Sequence, residues 1–312
     1  MLASPDPALD VSVVVVSYNT RDILARCLAS IERAIAAGAG RLSAEVFVVD
    51  NASADGSARM VAERFPGFTL IASERNEGFG RANNRAFRRS RGRYLLMLNP
   101  DTEIAPDGIR QLIDFADAHP RAGAVGGRVE YANGSLQHSA FRFPDLAQAF
   151  FGFFDVIPIN SPINGRHAPT QYNHPFRAQH LLGACLLLRR EALLDVGLLD
   201  PRFFMYFEET DLCRRLADAG WDLLYTPAAR VMHLSAASTT AVNERMSIEF
   251  GRSQALYYRK HHGPVSYLLF KLIVCAGLGY RLARSTRAVL IRKIGPALFA
   301  ERFLGYWRIL WA

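Results

Sequence analysis

A rhythm repeated through the first hundred or so residues most constrains what this chain can fold into: an apolar, β-branched run, a polar turn, then apolar residues at helical spacing. Val11–Ser17 (VSVVVVS) is a continuous run of strand length, and after Tyr18-Asn19-Thr20 come Leu24, Leu28, Ile31 and Ile35, three and four apart as on one helix face. Ala44–Asp50 (AEVFVVD) repeats it, with Asn51-Ala52-Ser53 as the turn and Ala58, Val61, Ala62 and Phe65 as the next stripe. A third strand is read at 68–72 (FTLIA) and a fourth at Tyr94–Leu98 (YLLML), which ends in Asn99-Pro100-Asp101. Pro106 then suits the first turn of a helix carrying Ile109, Leu112, Ile113 and Ala116. Strands alternating with helices predict an α/β fold, a mostly parallel sheet with helices on both faces. Ligands of such sheets bind beyond the carboxyl ends of the strands, where Asp50 and Asp101 fall.

From about Asn133 to His180 the pattern breaks into Pro, Asn, Gly and aromatic residues, which predicts a functional loop, partly helical around Leu146–Phe154. Regular structure resumes at 181–189. A short helix and a second one at 211–219 follow, the latter stopped by Gly220. After Arg245 a helix-period segment leads into the C-terminal tail.

The 312 residues, half of them hydrophobic, suffice for a full core. The net charge of +8 is unevenly placed, because residues 251–312 carry 11 Lys and Arg against the single acid Glu301. The basic charge thus belongs to the tail, which argues against a nucleic-acid-binding core and for an anionic surface met by the C-terminus. Cys27, Cys185, Cys213 and Cys275 are scattered without a CxxC pair, so they read as reduced core thiols and not as a zinc site or a disulfide framework. No charged n-region followed by an apolar h-region opens the chain, and the expected compartment is the cytoplasm.

Several residues can carry chemistry. Asp50 ends a buried strand, where its carboxylate can accept hydrogen bonds from a ribose or a base edge, or cap the following helix with Asn51 or Ser53. Asn99-Pro100-Asp101 is either a plain turn or a strand end offering a hard cation an oxygen ligand. The stretch from Arg75 to Asn84 (RNEGFGRANN) puts two glycines and several amides before a helix. The strongest local signal is FFMYFEETDL, in which Glu208, Glu209 and Asp211 follow an aromatic run. That sets acids beside an apolar wall, where one can act as a general base, or else caps the next helix. His233 follows the apolar segment 228–232, as a metal ligand or as a buried hydrogen-bonding residue.

In order and at compatible spacing, the blocks VSVVVVSYNT, VVDNASADGS, RNEGFGRANN, YLLMLNPDTEI, GACLLLRREAL, DVGLLDPRFFMYFEETDLCRRLADAGW and YTPAARVMHLSAAS resemble the family 2 glycosyltransferases. The likeness is to the bacterial rhamnosyltransferase-like branch that builds cell-wall and surface polysaccharides, and it covers about residues 10–262. It implies a GT-A, Rossmann-like catalytic domain over 1–262, with 263–312 as a basic, helical, membrane-associating extension. Carried over position by position, it makes Asp50 the nucleotide contact, with Ser17, Asn19, Arg75 and Asn76 nearby. Asp101, the last position of the family's Asp-any-Asp motif, becomes a ligand of a divalent cation, Mg²⁺ or Mn²⁺, in the nucleotide-sugar site, and His233 the late metal ligand. Glu209 takes the place of the catalytic base, with Asp211 and Glu208 in reserve. Two positions depart from the pattern: Asn99 stands where the metal motif has its first Asp, and Glu209 where the base is usually Asp.

The implied reaction is an inverting transfer from a nucleotide-diphosphate sugar, dTDP-rhamnose first and a UDP-sugar second, to a lipid-linked or growing glycan acceptor. A nucleotidyltransferase would need a Gly-, Arg- or Lys-rich phosphate loop after the first strand, which SYNTRD is not. An inactive sugar- or lipid-binding scaffold of the same fold would have lost the acidic cluster that Glu208, Glu209 and Asp211 keep.

The tail segment 265–282 is 18 residues long, with Lys271 inside it and Arg281 near its end, so it is expected to lie on the cytoplasmic face of a membrane and not to cross it. Beyond it Arg284, Arg287, Arg292 and Lys293 alternate with Leu282, Val289, Leu290 and Ile291, followed by Phe299, Phe303, Tyr306, Trp307 and Trp311. That mixture fits an anionic leaflet. Packing of the tail on the catalytic domain, or on a second subunit of a homo-oligomer, is the alternative.

Overall fold

Every residue of Val11–Ser17 is buried, as a strand covered on both faces requires. In the computed structural model, which describes residues 2–154, 161–234, 240–291 and 303–304, it forms β1. The other strands are β2 (Ala44–Asp50), β3 (Thr69–Ala72), β4 (Tyr94–Leu98), β5 (Thr102–Ile104), β6 (Ala122–Glu130), β7 (Leu136–Gln137), β8 (Ala140–Phe141), β9 (Phe176–Arg177), β10 (His180–Leu181), β11 (Cys185–Arg189) and β12 (Asp222–His233). The helices are α1 (Arg21–Ala37), α2 (Ser57–Arg64), α3 (Phe79–Phe87), α4 (Gly108–Asp117), α5 (Leu146–Phe154), α6 (Arg190–Val196), α7 (Glu208–Asp218), α8 (Thr240–His261) and α9 (Gly263–Leu290). Pro106 precedes α4 and does not open it, since Asp107 holds the cap position.

The main sheet runs β3-β2-β1-β4-β11-β6-β12-β5. The first four of these strands are parallel and in a register that brings Ser17 opposite Asp50, Asp50 opposite Ala72 and Val15 opposite Leu98, so their carboxyl ends share one edge. Val11, Val13 and Val15 face a core shared with Leu24, Leu28 and Ile31 of α1, Met60 and Val61 of α2, and Ile109, Leu112 and Ile113 of α4. Alternate residues of β1 point the other way, and α3 packs against β1 and β2.

The second half of the sheet is mixed. β11 runs antiparallel between β4 and β6, β12 is parallel to β6, and β5 closes the edge antiparallel to β12. β6 reads AGAVGGRVE, a glycine-rich run with little strand signal, yet its glycines let neighbours approach closely: a Cβ on Gly127 would lie 2.7 Å from the Ala229 carbonyl oxygen. β12 shifts register between Tyr225 and Arg230, where Pro227 supplies no N–H to a ladder. As expected of core thiols, Cys27, Cys185 and Cys213 are buried; Cys275 is exposed.

The chain forms two compact units, one of residues 1–142, 167–204 and 208–236, the other of 143–166, 205–207 and 237–312. The sheet and its covering helices make the first. In the second, the Tyr258 ring of α8 stacks on Phe270 of α9 at 4.2 Å, and the Tyr258 hydroxyl donates to the Asp145 carbonyl oxygen. Gly277 admits Phe153 of α5 so closely that a Cβ there would lie 2.5 Å from the Phe153 Cβ, and Arg281 donates to the carbonyls of Phe153 and Gly152 at 2.9 and 2.8 Å. These contacts tie α5 and α8 to α9, and the second unit takes in the chain from 237 onward.

Candidate active site

The shared edge of the parallel strands gathers the residues singled out in the sequence. Asp50 is 3% exposed at the end of β2. Its Oδ2 accepts the Ser53 N–H at 3.0 Å, so one oxygen does cap the turn, while Oδ1 is buried with no hydrogen-bond partner among the described residues. A buried carboxylate oxygen facing no donor is costly unless a ligand supplies one.

The loop after β1 is laced to the loop after β2. Asn19, in the left-handed region at φ 54°, donates its N–H to the Ser53 hydroxyl at 2.9 Å and accepts the Ala54 N–H on Oδ1 at 2.8 Å. The Ser17 hydroxyl pairs with that of Thr20 at 2.9 Å. Asn76 is drawn inward: its Oδ1 accepts from Asn51 Nδ2 and from the Gly78 N–H, at 2.9 and 3.0 Å. Asn51 Oδ1 in turn accepts the Glu77 N–H. Ser17, Asn19 and Asn76 thus build the walls that border Asp50, and Arg75 beside them is exposed.

On the next strand, the Asn99-Pro100-Asp101 turn is fixed by the Asn99 N–H, which donates to the Ala184 carbonyl at the head of β11, and by Thr102, whose hydroxyl and N–H both reach the Asn99 carbonyl. The Leu234 N–H donates to the Asp101 carbonyl, and His233 pairs with Thr102 across β12 and β5. This pairing brings two sequence candidates together: His233 Nε2 lies 3.1 Å from Asp101 Oδ1. The other ring nitrogen, Nδ1, lies 2.9 Å from Oε1 of Gln137 on β7, a residue the sequence reading passes over. The Asn133-Gly134 pair that turns the β6–β7 hairpin is the signal that marks it.

The carboxylate oxygen suits Mg²⁺ or Mn²⁺, and an imidazole nitrogen beside it favours the transition metal, Mn²⁺. Among the described residues no group of three or more His, Cys, Asp or Glu converges. Two protein ligands leave most of an octahedral shell to phosphate oxygens and water, which fits a cation that enters with a diphosphate.

The acidic cluster forms the first turn of α7. Gly183, just before β11, packs against Glu209: a Cβ at Gly183 would lie 3.5 Å from Glu209 Cγ and 3.1 Å from Met97 Cε of β4. Glu209 therefore stands at the same edge as Asp50 and Asp101. Burial pushes its carboxyl above the ordinary range, against the N–H groups of Glu209, Gly183 and Thr210, which favour the charged form. Glu208 points toward Gly80, whose Cβ would lie 3.6 Å from its own, and burial followed by the charge of Glu209 raises its carboxyl well above the ordinary value. One carboxylate oxygen of each lacks a hydrogen-bond partner. Asp211 is different. It is fully buried and accepts from Arg215 Nε at 2.9 Å, and Arg215 also donates to the carbonyls of Val196, Gly197 and Leu198. Asp211 thereby anchors the loop after α6. Just ahead of α7, Tyr206 and Phe207 both have positive φ, a strained backbone for such side chains.

The model of the family described as glycosyl transferase family 2 matches residues 12–197. N-acetylglucosaminyl-diphospho-decaprenol L-rhamnosyltransferase of Mycobacterium tuberculosis is 33% identical over 268 residues, 80% of this chain and 80% of that one. Among solved structures, GalNAc-T7 with UDP, GalNAc and Mn²⁺ aligns with a TM-score of 0.57 at 18% identity, over 78% of this chain, which spans 47% of that longer one. The mannosyltransferase PcManGT from Pyrobaculum calidifontis, in complex with GDP-Man and Mn²⁺, gives 0.56 at 18%, over 99% of this chain and 87% of the other. At that identity both speak for the fold alone, a GT-A arrangement.

Proposed function

Because the chain belongs to glycosyl transferase family 2, we propose that it transfers rhamnose from dTDP-rhamnose, by inverting displacement, to a lipid-linked glycan acceptor at the cytoplasmic face of a membrane. The observation that carries the reading is the convergence at one sheet edge of an open buried oxygen on Asp50, the Asp101–His233 pair and the raised carboxyl of Glu209. The sugar and the acceptor rest on the mycobacterial relative.

In this mechanism Asp50 Oδ1 accepts from the base or ribose of the donor, and the Asn19–Ser53 lacing holds the nucleotide pocket open. Glu209 takes the proton of the acceptor hydroxyl as its oxygen bonds to the anomeric carbon and the bond to the diphosphate breaks. Burial, which raises this carboxyl, makes it a stronger base once it is ionised. Asp101 and His233 would hold a divalent cation, whose positive charge would offset the charge gathering on the departing diphosphate. Glu208, behind Glu209 and harder to ionise, keeps the pair from carrying two charges.

The extension supports the membrane part of the reading. α9 exposes Val265, Leu268, Leu269 and Leu272 along one stripe, an apolar surface left uncovered among the described residues of its own unit.

The test is a donor panel of dTDP-rhamnose, UDP-sugars and GDP-mannose, scored by nucleoside diphosphate release with and without EDTA. Release is expected from dTDP-rhamnose above the others, to be abolished by EDTA and restored by Mn²⁺. Release from a UDP-sugar instead would overturn the assigned donor, and full activity in EDTA would overturn the cation.

A further inference from the structure

We infer that Gln137 is a positioning residue that selects which ring nitrogen of His233 carries the proton, leaving Nε2 open toward Asp101. The inference rests on the reading of Asp101 and His233 as cation ligands. The His233 ring is held between two oxygens, with Nδ1 2.9 Å from Gln137 Oε1 and Nε2 3.1 Å from Asp101 Oδ1. Both partners are acceptors at these atoms, and a neutral imidazole has one N–H to give. The amide oxygen of Gln137 can take only Nδ1–H, which leaves Nε2 as a bare lone pair directed at a carboxylate. That pairing is unfavourable by itself and becomes favourable with a cation between the two. Without Gln137 the ring would turn its proton to the other side and donate Nε2–H to Asp101, occupying both ligand atoms with one hydrogen bond.

The architecture makes Gln137 stiff enough for this work. It lies on β7, paired with Val129 of β6, which is itself paired with Val231 of β12, two residues before His233. The hairpin that carries it is closed by the Tyr131 N–H on the Ser135 carbonyl at 2.9 Å, by Gly134 at φ 79°, and by Asn133, whose side-chain oxygen accepts from the N–H and hydroxyl of Ser135. A strand pair running across β6 thus aims an amide oxygen at one nitrogen of a histidine on β12. The same device in metal sites is a hydrogen bond from the nonligating nitrogen, and its loss costs metal affinity about 10–100-fold.

The experiment reads the ring itself. In protein labelled with ¹⁵N-histidine and freed of metal, at a pH where the ring is neutral, two-bond ¹H–¹⁵N spectra report the tautomer, with His233→Gln assigning the signal. The wild-type ring is expected to carry its proton on Nδ1, Gln137→Leu to move it to Nε2, and Gln137→Glu, which keeps an acceptor, to restore Nδ1–H. Mn²⁺ titration in the presence of dTDP, followed by electron paramagnetic resonance, is expected to weaken about 10–100-fold in Gln137→Leu and to recover in Gln137→Glu. An unchanged tautomer and unchanged Mn²⁺ affinity in Gln137→Leu would overturn the inference. Wild-type protein that binds no Mn²⁺ while its ring keeps Nδ1–H would overturn the cation reading beneath it and leave the selection of the tautomer standing.

Discussion

Glu209 and Asp211 lie two positions apart on one helix turn, and their surroundings separate their roles. Asp211 has its charge matched by Arg215 and so contributes to the fold, whereas Glu209 has an oxygen without a partner and a carboxyl raised by burial. Glu209→Gln should fold normally, bind the donor and transfer sugar at least ~10²-fold more slowly. Asp211→Asn should instead lose stability. Breaking a buried pair costs about 3–5 kcal/mol, and the partial exposure of Arg215 sets the expected loss near the lower end, about 3 kcal/mol by urea melt. A stable but inactive Asp211→Asn would reverse the two roles. The raised carboxyls also set a pH dependence. A base must be ionised to act, so the acid limb of kcat/KM should lie above the ordinary glutamate value of 4.5 and vanish from the residual activity of Glu209→Gln. For stability the sign is the opposite. The folded state holds the Glu208 proton more tightly than the unfolded chain does, so this contribution is complete below 4.5 and is lost as pH rises through the folded value. Glu208→Gln should therefore flatten the decline of the urea midpoint on the alkaline side, and an unchanged slope would show that Glu208 ionises freely. Asp50 and Asp101 were legible as strand-end carboxylates because strand ends can be read from local apolar runs. Gln137 was not, since its partner lies 96 positions away and only the pairing of β6 with β7 and β12 joins them.

The elements divide the same way. β1, β2 and β4 announce themselves through β-branched and aliphatic runs, and the structure keeps those boundaries to the residue. β6 does not, because a strand selected for close approach carries glycines where strand propensity would put valine. Gly127→Val tests that account. Its Cβ would meet the Ala229 carbonyl oxygen at 2.7 Å, and that atom is backbone, which leaves it little room to yield. Overpacking of this kind costs typically about 1–3 kcal/mol, and the loss should appear as a lower urea midpoint. A midpoint equal to wild type would mean that β12 moves away without strain. The antiparallel insertion of β11 was likewise invisible, since strand direction depends on the route taken by 133–180 and not on the CLLLR run itself. The position of Asp101 depends on neighbouring elements too. With Asn99 in place of a second carboxylate, Asp101→Ala should abolish metal-stimulated transfer, and a wild-type rate at saturating Mn²⁺ would remove Asp101 from that role.

For the whole molecule, the proposed membrane surface rests on α5, α8 and α9. By length and composition Gly263–Arg287 can cross a membrane, its most apolar 18-residue window having a mean hydropathy of 1.5, and the helix is longer than the 18-residue segment read from the sequence. Its packing argues for lying flat. A crossing α9 would have to shed α5, whose end carbonyls receive Arg281, or draw it into the bilayer, together with the end of α8 that carries Arg259 and Lys260. Lying flat, α9 buries Val265, Leu268 and Leu272 in the leaflet and leaves exposed Arg284 and Arg287 at headgroup level. Arg292, Lys293, Phe299, Tyr306, Trp307 and Trp311, which the sequence reading assigns to the same surface, and the stretch 235–238 of its last family block lie outside the described residues. The full chain should sediment with vesicles containing phosphatidylglycerol, bind poorly to pure phosphatidylcholine, and be largely released by high salt. Each basic residue near an anionic surface contributes roughly 1 kcal/mol, so Arg284→Gln with Arg287→Gln should weaken binding roughly 30-fold. Leu268→Glu with Leu272→Glu should abolish it without lowering the thermal midpoint, because both side chains are exposed in the folded protein. Binding that ignores salt, lipid charge and the arginine pair, yet fails with the leucine pair, would show that α9 enters the bilayer as a span.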